Sequence, residues 1–201
     1  MNNSGCLNFD FDALRSLPQG SSRMEKIGNS IKGMYRDILK GRDESTIFDS
    51  GWVSNRIVDR CRILLAAFMK NDKSGGIQYL AIGQGLEVWD STGAPEPDSS
   101  TTGLEAPYPK IGVERLNLEY LDAHENVVEN PTSRLQITAT LEQNEPEAAP
   151  PLSSSPLREF GLFGKYFDGK DFQDYMIDCV RHPVIHKDVN TTLVRVIRLY
   201  F

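Results

Sequence analysis

The stretch "TLVRVIRLYF", Thr192–Phe201, decides the fold. In an extended chain, Leu193, Arg195, Ile197, Leu199 and Phe201 fall on one side, and Val194, Val196, Arg198 and Tyr200 on the other. A period of two with β-branched residues at alternate positions is the pattern of a strand. Both sides carry apolar residues, so this strand belongs inside a sheet, central or covered on both faces.

Working outward, further segments read the same way. "RLQITATL", Arg134–Leu141, puts Leu135, Ile137, Ala139 and Leu141 on one face. "VERLNLEYL", Val113–Leu121, alternates polar with apolar residues, and "IQYLAIGQG", Ile77–Gly85, is a short apolar run bounded by glycines. "PLREFGLFG", Pro156–Gly164, and "DYMIDCVRHPVIH", Asp174–His186, complete the set. Upstream, the spacing of Met24, Ile27, Ile31, Met34, Tyr35 and Ile38 predicts a helix over about 23–39, capped by Ser21 or Ser22. Gly28 and Gly33 weaken that helix by about 1 kcal/mol each relative to alanine, so it needs a neighbour. A second helix is expected over about 55–70, capped by Ser54 or Asn55. Its buried face would carry Ile57, Val58, Cys61, Leu64, Leu65 and Phe68. The expected fold is therefore α+β: N-terminal helices followed by a mainly antiparallel β-sandwich. Residues 1–50 form an arm and helix suited to a neighbouring subunit. Residues 51–201 form a helix plus β-domain with long Pro- and Ser-rich loops at 91–110 and 143–155.

Composition narrows the function classes. A net charge of −6 without a basic block disfavours a phosphate-tracking surface, so no nucleic-acid partner is expected. No apolar run approaches the roughly 20 residues of a membrane helix, and no direct membrane insertion is expected. The N-terminal "MNNSGCLNFDFDALRS" lacks a basic stretch followed by an apolar one, so no secretory leader is expected. Cys6, Cys61 and Cys179 are odd in number and widely spaced, the pattern of reduced cytosolic thiols. Cys61 lies in an apolar stripe and reads as a small core hydrophobe.

A search for chemistry assigns no catalytic, cofactor-binding or metal-binding residue. On a regular strand His182 and His186 share a face but stand about 13 Å apart, too far for one metal ion. Cys179 and His182 point to opposite faces, which leaves the thiol without a base. "AIGQGLEVWD" carries Gly-x-Gly after a strand but opens no helix, so it is not a dinucleotide cradle. Its glycines instead end a strand and let Trp89 fold back onto the sheet. Glu114 and Glu119 sit on opposite faces, and nothing marks a glycosidase pair.

The order of motifs carries the functional expectation. Ile77–Gly85, the acidic–Arg step Glu114–Arg115, "EFGLF" at Glu159–Phe163 and "KDVNTTLVRVIRLYF" at Lys187–Phe201 follow one another along the chain. From Asn55 onward this order resembles phage tail-collar and tail-fibre attachment proteins. It is also similar to baseplate-associated components of phage-tail-like contractile injection systems. The resemblance implies a compact, non-enzymatic assembly subunit without a cofactor. Its partners would be other tail or baseplate subunits and copies of itself. It would be made in the cytoplasm and then built into a virion or injection particle. Trp52, Trp89, Phe160, Leu162 and Phe163 are the interface candidates, and the last three, with Leu157, read as packing residues rather than ligands. A stand-alone carbohydrate- or peptide-binding β-sandwich and a hydrolase with an unrecognised site remain the alternatives.

Overall fold

The computed structural model describes residues 31–108, 110–146 and 154–201. In chain order the elements are β1 (Lys32–Lys40), β2 (Thr46–Asp49), β3 (Val53–Ile57), α1 (Asp59–Met69), β4 (Ser74–Gly83), α2 (Trp89–Thr92) and β5 (Ile111–Gly112). Then follow β6 (Leu116–Leu121), β7 (Val127–Val128), β8 (Arg134–Leu141), β9 (Ser154–Phe167), β10 (Phe172–Met176), β11 (Asp178–Asp188) and β12 (Thr192–Tyr200). All strands belong to one hydrogen-bonded sheet in the order β5-β4-β9-β11-β3-β1-β12-β8-β6-β7, with β10 added on β9 and β2 on β1. Every pairing is antiparallel, and the sheet curls into a half-barrel.

The expected α+β sandwich is therefore corrected. Among the described residues no helix precedes the sheet; α1 and the single turn α2 are inserted between strands. The first helix expected over 23–39 gives way to β1 from Lys32 onward, and its start at 23–30 lies outside the described residues. The spacing of Ile31, Met34, Tyr35 and Ile38 fits a helix, but burial in β1 alternates strictly, with Gly33, Tyr35, Asp37 and Leu39 inward. Long-range pairing overrides the local pattern. β12 supplies a register partner for every residue of β1, from Lys32↔Tyr200 to Lys40↔Thr192.

The second helix forms, but later than its periodicity predicts. Val53–Ile57 is taken by the sheet as β3, where Asn55 pairs with Gly33 and Arg56 with Cys179. The helix begins at Asp59, whose amide donates to the carbonyl of Ser99 at 2.8 Å. Cys61, Leu64 and Ala67 are buried, whereas Leu65 and Phe68 of the expected face are exposed. Gly164 in β9 permits this docking, since a Cβ there would lie 2.8 Å from Leu64 Cδ1.

The C-terminal reading is confirmed. β12 lies between β1 and β8, with Leu193, Arg195, Ile197 and Leu199 inward. β8 spans the expected Arg134–Leu141 with Ile137, Ala139 and Leu141 buried. The two flanks of the sheet share one core. Ile137, Leu193 and Ile197 come from one side, and Leu80, Phe160 and Leu162 from the other. β3 joins these flanks through only two residue pairs with β11, Ile57↔Asp178 and Arg56↔Cys179. A second cluster around Val58, Tyr79, Phe163, Met176 and Cys179 has Leu104 of the 93–110 segment packed against it. That long loop is thus laid onto its own sheet.

Ile197 has no exposed surface, while Val196 is half-buried on the opposite face. Ile197→Ala is expected to cost about 2–5 kcal/mol in urea unfolding, and Val196→Ala clearly less. Equal losses would place β12 the wrong way round.

Candidate functional site

Two features stand apart from ordinary packing: a buried polar cluster at the centre and an open apolar cleft at the edge. The cluster begins in sequence. Arg195 and Asp37 each interrupt an otherwise apolar inward row, and the β1–β12 register sets them directly opposite each other. Arg195 Nε and Nη2 donate to Asp37 Oδ1 and Oδ2 at 2.6 and 2.8 Å, a bidentate pair. Both side chains are sealed from solvent, at 0% and 1% exposure. The guanidinium carbon lies 3.8 Å from the centroid of the Phe160 ring, and Tyr35 meets the same ring edge-on at 5.2 Å.

His182 reaches this cluster from β11. Its Nδ1 lies 2.8 Å from the Pro183 carbonyl and its Nε2 lies 3.1 Å from Arg195 Nη2. These contacts fit a neutral ring that donates from Nδ1 and accepts at Nε2. Burial, with Arg195's positive charge beside it, pushes the imidazole down to about 4. A bulge between Arg181 and Ile185 turns His182 inward and leaves His186 exposed, so the two histidines do not share a face as a regular strand would require. Among the described residues no group of three or more His, Cys, Asp or Glu is placed to hold a metal ion.

A second buried acid lies at the seam between the flanks. Asp178 Oδ1 accepts the Leu162 amide at 2.7 Å and Oδ2 accepts Asn55 Nδ2 at 2.6 Å. Burial pushes this carboxyl up to about 7, against the pull of those two donors and of Arg195. Cys61 and Cys179 are raised to about 11 and about 12, first by burial and then by the charge of Asp178. Both are inert core thiols at neutral pH.

The cleft is different in character. A cavity of about 440 Å³ opens where α1 meets the sheet. Leu64 and Phe68 come from the helix, Ile77 from β4, Tyr120 from β6, and Leu199 and Phe201 from the C-terminal end of the chain. Its helical rim is exposed, with Leu65 at 37% and Phe68 at 69%. A contiguous apolar surface of this kind is unusual on a folded chain, and none of the described residues covers it.

The interface candidates divide accordingly. Phe160, Leu162 and Phe163 are buried within the chain, the first two in the shared core and the third in the second cluster. Phe163 stacks on Tyr79 with centroids 4.8 Å apart. Trp89 is buried over Gly85, whose φ of +58° and missing side chain admit the indole, as the strand-ending glycines led us to expect. The Arg181 guanidinium lies 5.0 Å from its ring. Trp52 is half-buried, with Arg198 at 4.1 Å over its ring. One face of each indole is thus taken by an arginine. The structure brings none of the five candidates to the cleft.

The sequence reading missed Asp37, Arg195, His182, Asn55 and Asp178 as a polar framework. A charged residue in the inward row of an alternating strand was the available signal for Arg195. For Asp37 the helical assignment of 23–39 concealed it.

The buried pair makes a direct prediction. Asp37→Ala leaves an uncompensated buried guanidinium and is expected to cost about 3–5 kcal/mol. The double variant Asp37→Leu/Arg195→Met, which removes both charges, is expected to recover most of that loss. Chemical denaturation of the single and double variants checks it, and additive losses would mean that the pair is not coupled. Compared with protein-family models, curated proteins and solved structures, the chain finds no match in any of the three.

Proposed function

We propose that this chain is a non-enzymatic assembly subunit, of the kind its motif order resembles: a baseplate or fibre-attachment component of a phage tail or a tail-like contractile injection system. The observation that carries the reading is the apolar cleft with its exposed rim. Leu65 and Phe68 project from α1 into an apolar cavity of about 440 Å³, and the polar residues of that helix, Asp59, Arg60 and Arg62, all lie in its first turn, away from them. A protein with no partner gains nothing from exposing these side chains. A subunit held in a multi-copy particle gains contact energy at every repeat.

The long loop at 91–110 supports a narrower role for the partner surface. Glu159 Oε1 accepts the Ala106 amide at 2.9 Å, the Ser99 carbonyl accepts the Asp59 amide at 2.8 Å, and the Tyr108 amide donates to the Ile82 carbonyl at 2.8 Å. Its hydrogen-bonding groups are largely engaged by the chain's own sheet, so the cleft, not this loop, is the contact surface of the proposal. Of the loop at 143–155, residues 147–153 lie outside the described residues. The partners in this reading are other tail or baseplate subunits and copies of the chain, met after synthesis in the cytoplasm. Among the described residues no helix is long and apolar enough to cross a membrane.

Phe68→Glu tests the reading, since a substitution at so exposed a position should change stability by no more than about 0.5 kcal/mol. The variant is expected to melt like the wild type yet fail to enter particles viewed by electron microscopy. Complete, functional particles containing Phe68→Glu, or formed without the gene, would overturn the proposal.

A further inference from the structure

β3 is the narrow point of the sheet. It meets β11 through two residue pairs and β1 through three, whereas β1 and β12 pair along their whole length. One side-chain link reinforces this seam. Asp178 on β11 binds Asn55 of β3 through one oxygen and the Leu162 amide of β9 through the other. The carboxyl is sealed from solvent and has no ion-pair partner among the described residues. The Oδ1 atom of Asn55 is buried without a hydrogen-bond donor.

We propose that Asp178 and Asn55 form a proton-operated latch between the two flanks of the sheet, closed when Asp178 carries a proton and loosened when it ionises. The chemistry follows from the partners. An ionised Asp178 must accept from Asn55 Nδ2, which leaves Asn55 Oδ1 orphaned and a charge buried without a cation. With a proton on its Oδ2, Asp178 donates to Asn55 Oδ1 once the amide turns over, while its Oδ1 still accepts the Leu162 amide. Two hydrogen bonds are kept; the turned amide leaves Nδ2 in place of Oδ1 without a partner, so what the proton removes is the buried charge.

The groups facing Asp178 fit this assignment. Arg195 of β12 favours the ionised form; its Nε and Nη2 are held by Asp37 and His182, and its Nη1 is buried without a hydrogen-bond partner among the described residues. Cys61 of α1 and Cys179 of β11 are neutral thiols, β3 contributes the Asn55 amide, and β9 contributes a backbone amide. The sign is fixed by linkage. The carboxyl at about 7 lies above its unfolded value near 3.9, so its contribution to stability is full below that lower value and is lost as pH rises to about 7. His182, depressed to about 4, acts oppositely: its contribution is lost as pH falls from about 6.5 towards 4. Total stability therefore hides the latch, and a comparison with Asp178→Asn isolates it.

Asp178→Asn reproduces the protonated partners without a titrating group. The ratio of the unfolding constants, wild type over variant, is expected to rise up to about tenfold per pH unit from pH 5 to 7 and then level off. Hydrogen exchange, corrected for intrinsic rates, should show the amides of Arg56, Ile57 and Cys179 losing protection from pH 5 to 8 more than those of β12. A ratio flat across this range, or equal losses in β12, would overturn the latch. Should Asp178→Asn fail to fold, carbon NMR of the wild type decides. A carboxyl midpoint near 7, shared by the side-chain amide of Asn55, supports the latch, and a midpoint below 4 overturns it.

Discussion

A guanidinium with no access to water must be given its counter-charge by the fold, and Arg195 imposes that requirement at the centre of this one. Its partner is Asp37, which can lie opposite only if residues 32–40 run as a strand in a fixed register beside β12. A slip of one residue would set Arg36 or Ile38 opposite Arg195 in place of Asp37 and leave the guanidinium without its counter-charge. The same guanidinium stacks on Phe160 of β9 and donates to His182 of β11. One side chain thus ties three strands from both flanks of the curled sheet. Isolated ion pairs of this kind add little net stability, and their use is to exclude alternative arrangements. We read this cluster in that way: the apolar residues drive collapse, and Arg195 selects the register.

The strand character of the C-terminal half was legible because alternation is a local signal. Leu135 to Leu141 carries it without interruption and Leu193 to Leu199 with Arg195 as its one break, and the structure places both strands at the expected positions. The segment around Met34 and Tyr35 was misread because its apolar positions satisfy both periods, and only β12, more than 150 residues away, decides between them. The delayed start of α1 has a similar origin. Its first amide is bound by Ser99, across a loop whose path no local pattern reveals. The two histidines were assigned to one face because a bulge cannot be seen in "HPVIH".

The candidate site was less legible than the fold. Aromatic residues near glycines drew attention to Phe160, Leu162 and Phe163, which lie inside the chain because β9 is covered on both faces, by the shared core and by the second cluster. The apolar cleft is assembled from α1, β4, β6, β8, Ile177 between β10 and β11, and the C-terminal end, six segments that meet only after the sheet curls. Its rim residues Leu65 and Phe68 look in sequence like the buried face of an amphipathic helix. The arrangement separates two features: the polar centre fixes the shape, and the cleft is left uncovered by the described residues.

The central claim is that the curled sheet is one cooperative unit locked by the Arg195 cluster, although only a short strand joins its flanks. Native-state hydrogen exchange in increasing urea at pH 5 tests it most directly. Amides of β12 and β1 and those of β9 and β4 should converge on one opening reaction with a single denaturant dependence. A separate opening of the β4-β9-β11 flank at clearly lower urea, while β1-β12-β8 stays protected, would contradict the account.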